Sequence, residues 1–167
     1  MAVHPITYLP DPVLRQKARR VPKIDSSIHR LIEDMIDSMH EANGVGLAAP
    51  QIGVSLKVVV IGLPDEEPFA LINPEIVKVS GERAVDEGCL SVPGYRAELT
   101  RHSVVVAKAL SPEGKEVRIK ARDDLLAQAL EHEIDHVNGI LYIDHLPSLD
   151  VLEKVEMSDR RGERARS

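Results

Sequence analysis

Two stretches of the chain repeat apolar residues with the period of an amphipathic α-helix. The first follows Asp25, a residue type that caps helix N-termini, and stops at Asn43-Gly44. Its apolar positions are Ile28, Leu31, Ile32, Met35, Ile36 and Met39. The second follows Asp123 or Asp124 and stops at Asn138-Gly139, with a stripe formed by Leu126, Leu130, Ile134 and Val137. This spacing predicts a helix over each stretch.

Four further runs are rich in the residue types that favour β-strands. They are Leu56 to Ile61, Phe69 to Val79, Val104 to Ala109 and Lys115 to Ala121. Pro112-Glu113-Gly114 separates the last two runs, and these turn residues predict a hairpin. The sequence therefore predicts antiparallel strands beside the two helices.

Both ends of the chain carry weaker helix signals. Asp11 followed by Pro12 predicts a short helix through about Ala18. Ser148 can cap a last helix that carries Leu149, Leu152 and Val155, and residues 159–167 are expected to be disordered. The expected fold is α+β: small antiparallel strands packed around the second helix, with an N-terminal amphipathic helix and a C-terminal helix.

Composition narrows the kind of protein. The 167 residues suit one domain, 1–167, and the net charge of −6 gives no overall basic field for binding nucleic acid. We expect no direct DNA role. The N-terminus lacks the features of a signal or transit peptide, and no apolar run is long enough to span a bilayer. With Cys89 as the single cysteine, we expect a cytoplasmic protein, acting as a monomer, with no membrane partner.

The second predicted helix contains an HExxH pattern. His132 and His136 are four residues apart, so both imidazoles lie on one helix face and can bind one metal ion. Glu133 directly follows the first histidine and can accept a proton from water at that metal. The pattern predicts a catalytic metal site.

The third protein ligand is less certain from the pattern alone. In the extended HExxHxxGxxH pattern of some proteases, Gly139 fits but Tyr142 stands where the last histidine should be, and His145 lies outside the spacing. A carboxylate ligand is the second alternative, with Asp144, Asp150, Glu153 and Glu156 available downstream. Cys89 is the stronger candidate because a thiolate binds soft metals tightly. Its segment, Glu87 to Pro93, is expected to bend rather than to pack.

Three blocks together resemble the signatures of the peptide deformylase family. They are Gly44-Val45-Gly46-Leu47-Ala48-Ala49-Pro50-Gln51, Glu87-Gly88-Cys89-Leu90-Ser91, and His132-Glu133-Ile134-Asp135-His136. The resemblance implies a metal-dependent hydrolase that removes the N-formyl group from the N-terminal methionine of newly made proteins and releases formate. N-formylmethionyl nascent peptides would be its partners.

The resemblance also implies roles for individual residues. Cys89, His132 and His136 would bind the metal, and Glu133 would be the general base. The Gln51 side-chain amide and the Leu90 backbone N–H would stabilise the oxyanion. The family implies Fe(II), with nickel and cobalt as active substitutes, whereas the ligand set by itself would also permit zinc.

Substrate binding is predicted along the loop Gly44 to Gly46, where a peptide could pair as an added strand. An apolar slot for methionine is expected, with Gln128 placing one polar group near it, and its lining would be formed by Val45, Val85, Leu125, Ala129 and His132. Glu87, Arg96 and Arg101 are expected to form either a supporting ion pair or a peptide-binding patch.

Two other functions are compatible with the same motif. One is a zinc-type metallopeptidase that cuts internal peptide bonds with the same metal and Glu133. The other is a non-catalytic metal-binding module that docks on the ribosome through the arginine-bearing C-terminal segment. Structural zinc sites normally have four protein ligands, and the sequence offers three.

Overall fold

The computed structural model describes residues 2–155. Within that range it contains two α-helices, which are α1 (Ser26–Glu41) and α2 (Leu125–Val137). The strands are β1 (Gly46–Ala48), β2 (Val58–Ile61), β3 (Phe69–Ser80), β4 (Arg83–Cys89), β5 (Val92–Arg101), β6 (Val104–Leu110), β7 (Glu116–Arg122) and β8 (Glu153–Lys154). Every pairing between these strands is antiparallel, so the expected α+β class is confirmed.

Both predicted central helices form, and their caps are the ones expected. The Asp25 carboxylate accepts hydrogen bonds from the backbone N–H groups of Ser27 and Ile28 at the start of α1. The Asp124 carboxylate accepts one from the Ala127 N–H, at 2.9 Å, at the start of α2. These bonds satisfy backbone donors that have no partner inside the helix. Each helix then presents one apolar face to the interior.

The main sheet lies between the two helices, in the strand order β1-β2-β3-β6-β7. One face packs on α2 through residues that include Val59, Leu71 and Val105. Part of the other face packs on α1 through Val58, Val60 and Ile72. All four residues of β2 are buried because successive side chains point to opposite faces and both faces are covered there. α2 is therefore fixed against the sheet along its whole apolar stripe.

A second sheet was not predicted from the sequence. It has the order β4-β5-β8 and contains a long hairpin of β4 and β5. The expectation that Glu87 to Pro93 bends rather than packs was wrong for most of the segment: Glu87 to Cys89 end β4 and are buried, and the chain turns only at Leu90 and Ser91. β4 has the sequence Arg-Ala-Val-Asp-Glu-Gly-Cys, in which apolar and charged residues occur in adjacent pairs and do not alternate, so the usual strand pattern is missing. The hairpin carries Cys89 to the interior beside α2.

The expected C-terminal helix does not form in residues 149–155. Ser148 does cap a turn, since its hydroxyl accepts from the Asp150 N–H, but this 3₁₀ turn ends at Val151. Leu149 is 62% exposed and Val151 is 43% exposed, so a longer helix here would gain little apolar burial. The chain instead pairs with the edge of β5 as β8. The predicted disordered segment 159–167 lies outside the described residues.

The expected helix from Pro12 to Ala18 is also shorter than predicted. It is a 3₁₀ turn, Pro12–Arg15, capped by the Asp11 carboxylate. Beyond it the Ala18 N–H donates to the Val137 carbonyl, and Arg19 forms a bridge with Leu56. These tertiary bonds extend the chain and stop the helix. Among residues 2–155, no helix is long and apolar enough to cross a membrane.

Candidate metal centre and its surroundings

The hairpin and α2 bring Cys89, His132 and His136 together in the interior. The Cys89 Sγ lies 3.3 Å from the His136 Nε2, and the two histidine Nε2 atoms are 3.2 Å apart. All three donor atoms lie within 4.8 Å of one another, and all three residues are buried. The four-residue helical spacing places the histidines, whereas the sharp turn after Cys89 places the thiol.

These separations fit a bound metal ion. Ligand bonds of the usual length in a tetrahedral site place nitrogen and sulfur donors roughly 3.3 to 3.6 Å apart. Buried thiol and imidazole groups are also the donors that zinc and the later divalent transition metals prefer. The three residues could therefore hold one divalent ion and leave a coordination position open.

Glu87 supports His132 from behind. One Glu87 oxygen accepts from the His132 Nδ1 at 2.5 Å, which leaves the Nε2 atom free to face the metal position. Arg101 donates to both Glu87 oxygens, at 3.1 and 2.5 Å. Burial opposes ionisation, but the charges and hydrogen bonds of His132 and Arg101 hold the pKa of Glu87 well below its usual range. Glu87 is thus a buried carboxylate that orients a metal ligand.

This supporting group extends to the surface. Arg101 also donates to Asp135 at 2.9 Å, and Asp135 lies 2.9 Å from the exposed ring of His145. Gln128 donates its side-chain amide to Glu87 at 3.2 Å. The sequence predicted the Glu87–Arg101 ion pair as one alternative but missed Asp135 and His145. Arg96 pairs instead with Asp86, away from this group.

Glu133 is fully buried and lies beside the three donors. Neither of its carboxylate oxygens has a hydrogen-bond partner among residues 2–155. Burial, the largest effect, together with the charge of Glu87, raises the pKa of Glu133 to about 7, although His132 opposes the shift. A carboxyl group with this pKa can both accept and release a proton near neutral pH.

Gly46 packs directly against Glu133. An added Cβ at Gly46 would lie 2.5 Å from the Glu133 Oε2 and 2.9 Å from its Cγ. Real Cβ atoms do not approach other atoms so closely, and the buried carboxylate has little room to move. Glycine at this position in β1 therefore sets where the Glu133 side chain lies.

Gln51 is held so that its amide nitrogen faces the cysteine. The Gln51 Oε1 accepts from the Ala48 N–H at 3.0 Å, which fixes the orientation of the amide. The Gln51 Nε2 then lies 3.3 Å from the Ser91 hydroxyl and 3.7 Å from the Cys89 sulfur. Ser91 was not singled out from the sequence, although it belongs to the same short block as Cys89.

An N-terminal segment ties these two parts of the site together. The Thr7 N–H donates to the Gln51 carbonyl, and the Leu9 N–H donates to the Ser91 carbonyl. Leu90 lies between Cys89 and Ser91, with its side chain packed in the apolar core below α1. The bond to the Ser91 carbonyl and the buried Leu90 side chain therefore both hold the turn that follows Cys89.

Two of the residues expected to line a methionine slot, Val85 and Ala129, belong to different apolar clusters. Val85 packs with Cys89 and Leu99 in one cluster, and Ala129 belongs to the cluster between α2 and the main sheet. Val45 is buried and Leu125 is partly buried. The Glu87 carboxylate, which was expected at the substrate, points instead into the group around His132. The slot remains a prediction.

Comparisons with known proteins agree with this geometry. Residues 3–151 match the family model described as polypeptide deformylase. A peptide deformylase of Dehalococcoides mccartyi strain CBDB1 is 56% identical over 167 residues, covering 99% of each chain, and one of Alkaliphilus metalliredigens is 51% identical, covering 87% of this chain and 98% of its own. The crystal structure of a peptide deformylase from Legionella pneumophila superposes with a TM-score of 0.86 at 47% identity, covering 96% of this chain and 92% of that one.

Proposed function

The chain belongs to the polypeptide deformylase family, and on that premise we propose that it hydrolyses the N-terminal formyl group of newly made proteins. The substrate is an N-formylmethionyl peptide, and the products are formate and a peptide with a free amine. The observation that carries this proposal is the unpartnered, buried Glu133 carboxylate beside three clustered metal donors.

We assign Cys89, His132 and His136 as the metal ligands and Fe(II) as the physiological ion, with nickel, cobalt or zinc as substitutes. The mixed thiolate and imidazole donor set supports any of these ions, and the choice of Fe(II) follows the family. When bound, the ion supplies Lewis acidity to the formyl oxygen and lowers the pKa of water.

Glu133 is the proposed general base. It takes a proton from the water that attacks the formyl carbon, and its unpartnered oxygens support this role. As the C–N bond breaks, Glu133 passes the proton to the leaving amine, and formate is released. A pKa of about 7 suits a group that must do both near neutral pH.

Two donors are proposed for the oxyanion that forms in this reaction. The Gln51 amide nitrogen faces Cys89 because the Ala48 N–H holds the amide oxygen. The Leu90 N–H belongs to the turn that directly follows Cys89. Both donors are held in place by the folded backbone and need little reorganisation during the reaction.

The peptide is proposed to lie along the free edge of β1. Among residues 2–155, this strand pairs with β2 on one side and with no strand on the other, and it begins at Gly46, beside Glu133. An extended peptide can add to such an edge through backbone hydrogen bonds. We keep Val45, Gly46, Val85, Leu125 and Ala129 as proposed substrate contacts and assign Glu87 to the support of His132.

We propose that residues 1–167 act as one monomeric domain in the cytoplasm, where formylated nascent chains are made. A thiol ligand suits a reducing compartment. The C-terminal segment that could contact the ribosome lies mostly outside the described residues.

Formate release from a short formyl-Met peptide tests the reaction. Protein purified without oxygen and loaded with Fe(II) is expected to release formate and to leave the peptide bonds intact. The same peptide without the formyl group is the control, and a chelator should stop the reaction. Formate can be followed with a coupled dehydrogenase assay, and the peptide by mass spectrometry.

Two results would count against the proposal. Cleavage inside the unformylated peptide would identify a metallopeptidase, which uses the same donor set on a different carbonyl. Absence of any reaction while the metal stays bound would favour a non-catalytic metal-binding module.

Replacing Gly46 with alanine is expected to lower kcat by about 100-fold, because the new methyl group displaces the Glu133 carboxylate from its position. Metal content should stay unchanged, since Gly46 is not a donor. Steady-state kinetics with a formyl-Met peptide and metal analysis check both points. Gly114→Ala is the control, because its methyl group meets nothing within 4 Å: the positive φ of 81° makes alanine cost some stability there, but kcat should be unchanged. Unchanged kcat in Gly46→Ala would contradict the steric role.

A further inference from the structure

The main sheet has one face that α1 covers only in part. Across β3, β6 and β7, the register aligns Lys78 with Val106 and Val106 with Lys120. The intervening residues, such as Val105 and Ala107, point to α2 and belong to the core. Because paired residues of antiparallel strands share a face, these lysines lie on the side away from α2. This half of the sheet faces solvent.

Five cations lie on this surface, which we call the basic face: Lys78, Lys108, Arg118, Lys120 and Arg122. In the described strands β3, β6 and β7, the register places two carboxylates on this face, Glu75 and Glu116, and Glu116 pairs with Lys108 at 3.5 Å. Four of the five cations are exposed, and Lys108 is partly exposed. The chain as a whole carries a net charge of −6, so the fold concentrates positive charge on one surface against the overall balance.

The shape of the basic face fits an elongated anion better than a small one. The side chains of Arg118, Lys120 and Arg122 alternate along β7 and are spaced about 6.7 Å apart. No cavity is needed to form this row, because the strand itself is extended. A chain of phosphates can follow such a row, with one cation for each of several phosphates.

The residues around the cations also favour a phosphate backbone. The side chains between them are the aliphatic Val104 and Val106, with no aromatic ring that could stack on bases. Among the described residues that the register places on it, the face carries Leu110, which is partly buried, and no exposed large apolar side chain that could enter a bilayer. Recognition would therefore be electrostatic and independent of base sequence.

We propose that the basic face binds the phosphate backbone of structured RNA. The choice of RNA rests on the proposed function, because chains that still carry their formyl group are emerging from the ribosome, whose surface is rich in RNA. Binding there would raise the local concentration of substrate without any change at the metal centre.

Fluorescence anisotropy with a labelled RNA hairpin, measured from 50 to 200 mM salt, tests the proposal. The full-length protein is expected to bind with an affinity that falls steeply with salt. The double variant Arg118→Gln/Lys120→Gln should bind at least tenfold more weakly at the lowest salt. The slope of log affinity against log salt should become shallower by about 2, since each phosphate contact contributes about 0.9. The matched control Lys17→Gln/Lys154→Gln removes the same charge outside this face and should keep the native affinity.

An equal loss of RNA affinity in the two double variants would overturn the proposal. Undetectable RNA binding by the native protein at 50 mM salt would also overturn it. Preferential binding to vesicles that contain phosphatidylglycerol, lost in the first variant, would assign the face to a membrane instead and would also overturn it. Formate release from a short peptide should be unchanged in both variants. Failure of that reaction in the native protein would affect the proposed function and leave the RNA measurement interpretable.

Discussion

Glu133→Gln should retain the metal and lose nearly all turnover. The glutamine has almost the same shape, and Glu133 is not one of the three clustered donors. The glutamine amide cannot accept a proton, however, so kcat should fall by about 100- to 10,000-fold. The measurements are formate release and bound metal per chain, each made on Fe(II)-loaded protein.

Cys89→Ala is the matched comparison for that experiment. It removes one of the three donors and leaves Glu133 intact, so bound metal and turnover should fall together. The proposed roles would be exchanged, and the mechanism wrong, if Glu133→Gln lost its metal while Cys89→Ala kept it. Turnover within tenfold of native in Glu133→Gln would also remove Glu133 as the general base.

The part of the site that lies on one helix could be predicted from the sequence. Residues four apart on a helix share a face, so the pattern of His132 and His136 implied their proximity before any fold was known. Cys89 was a different case. Its 47-residue separation from His136 carries no local signal, and thiolate chemistry and family resemblance pointed to it. The structure adds the distances that place all three donors around one point.

The supporting residues could not be predicted in the same way. Arg101 and Glu87 are 14 residues apart, and they face each other because β4 and β5 pair in one particular register. That hairpin has mixed charged and apolar residues, so neither strand shows a continuous β-branched run. The bonds from Thr7 to Gln51 and from Leu9 to Ser91 depend on how an irregular segment crosses the site.

The errors at the chain ends have a related cause. Ser148 forms the predicted cap, but a cap specifies where a helix begins and does not supply an apolar surface to continue it. Residues 153 and 154 lie beside the edge of β5, and they pair with that edge as a strand and do not continue a helix. The basic face could not be predicted from charge for a similar reason. A net charge of −6 does not show how the strand register distributes cations between the two faces of a sheet.

Arg101→Met is expected to destabilise the protein strongly. Arg101 is 4% exposed and donates to Glu87 and Asp135. Its removal leaves the buried Glu87 carboxylate with fewer donors, a loss of about 3–5 kcal/mol. In a chain of this size that corresponds to a fall in Tm of about 6–20 °C, which circular dichroism on metal-loaded protein would measure. Metal affinity should also fall by about 10- to 100-fold, because Glu87 then orients His132 less firmly.

Two further variants separate the buried charge from the loss of packing. Arg15→Met makes the same substitution in an exposed ion pair with Asp144 and should cost at most about 1 kcal/mol. Adding Glu87→Gln to Arg101→Met should recover part of the lost stability, because the neutral amide no longer leaves an uncompensated charge inside the protein. A Tm for Arg101→Met no lower than that of Arg15→Met would mean that the buried pair contributes little to the fold.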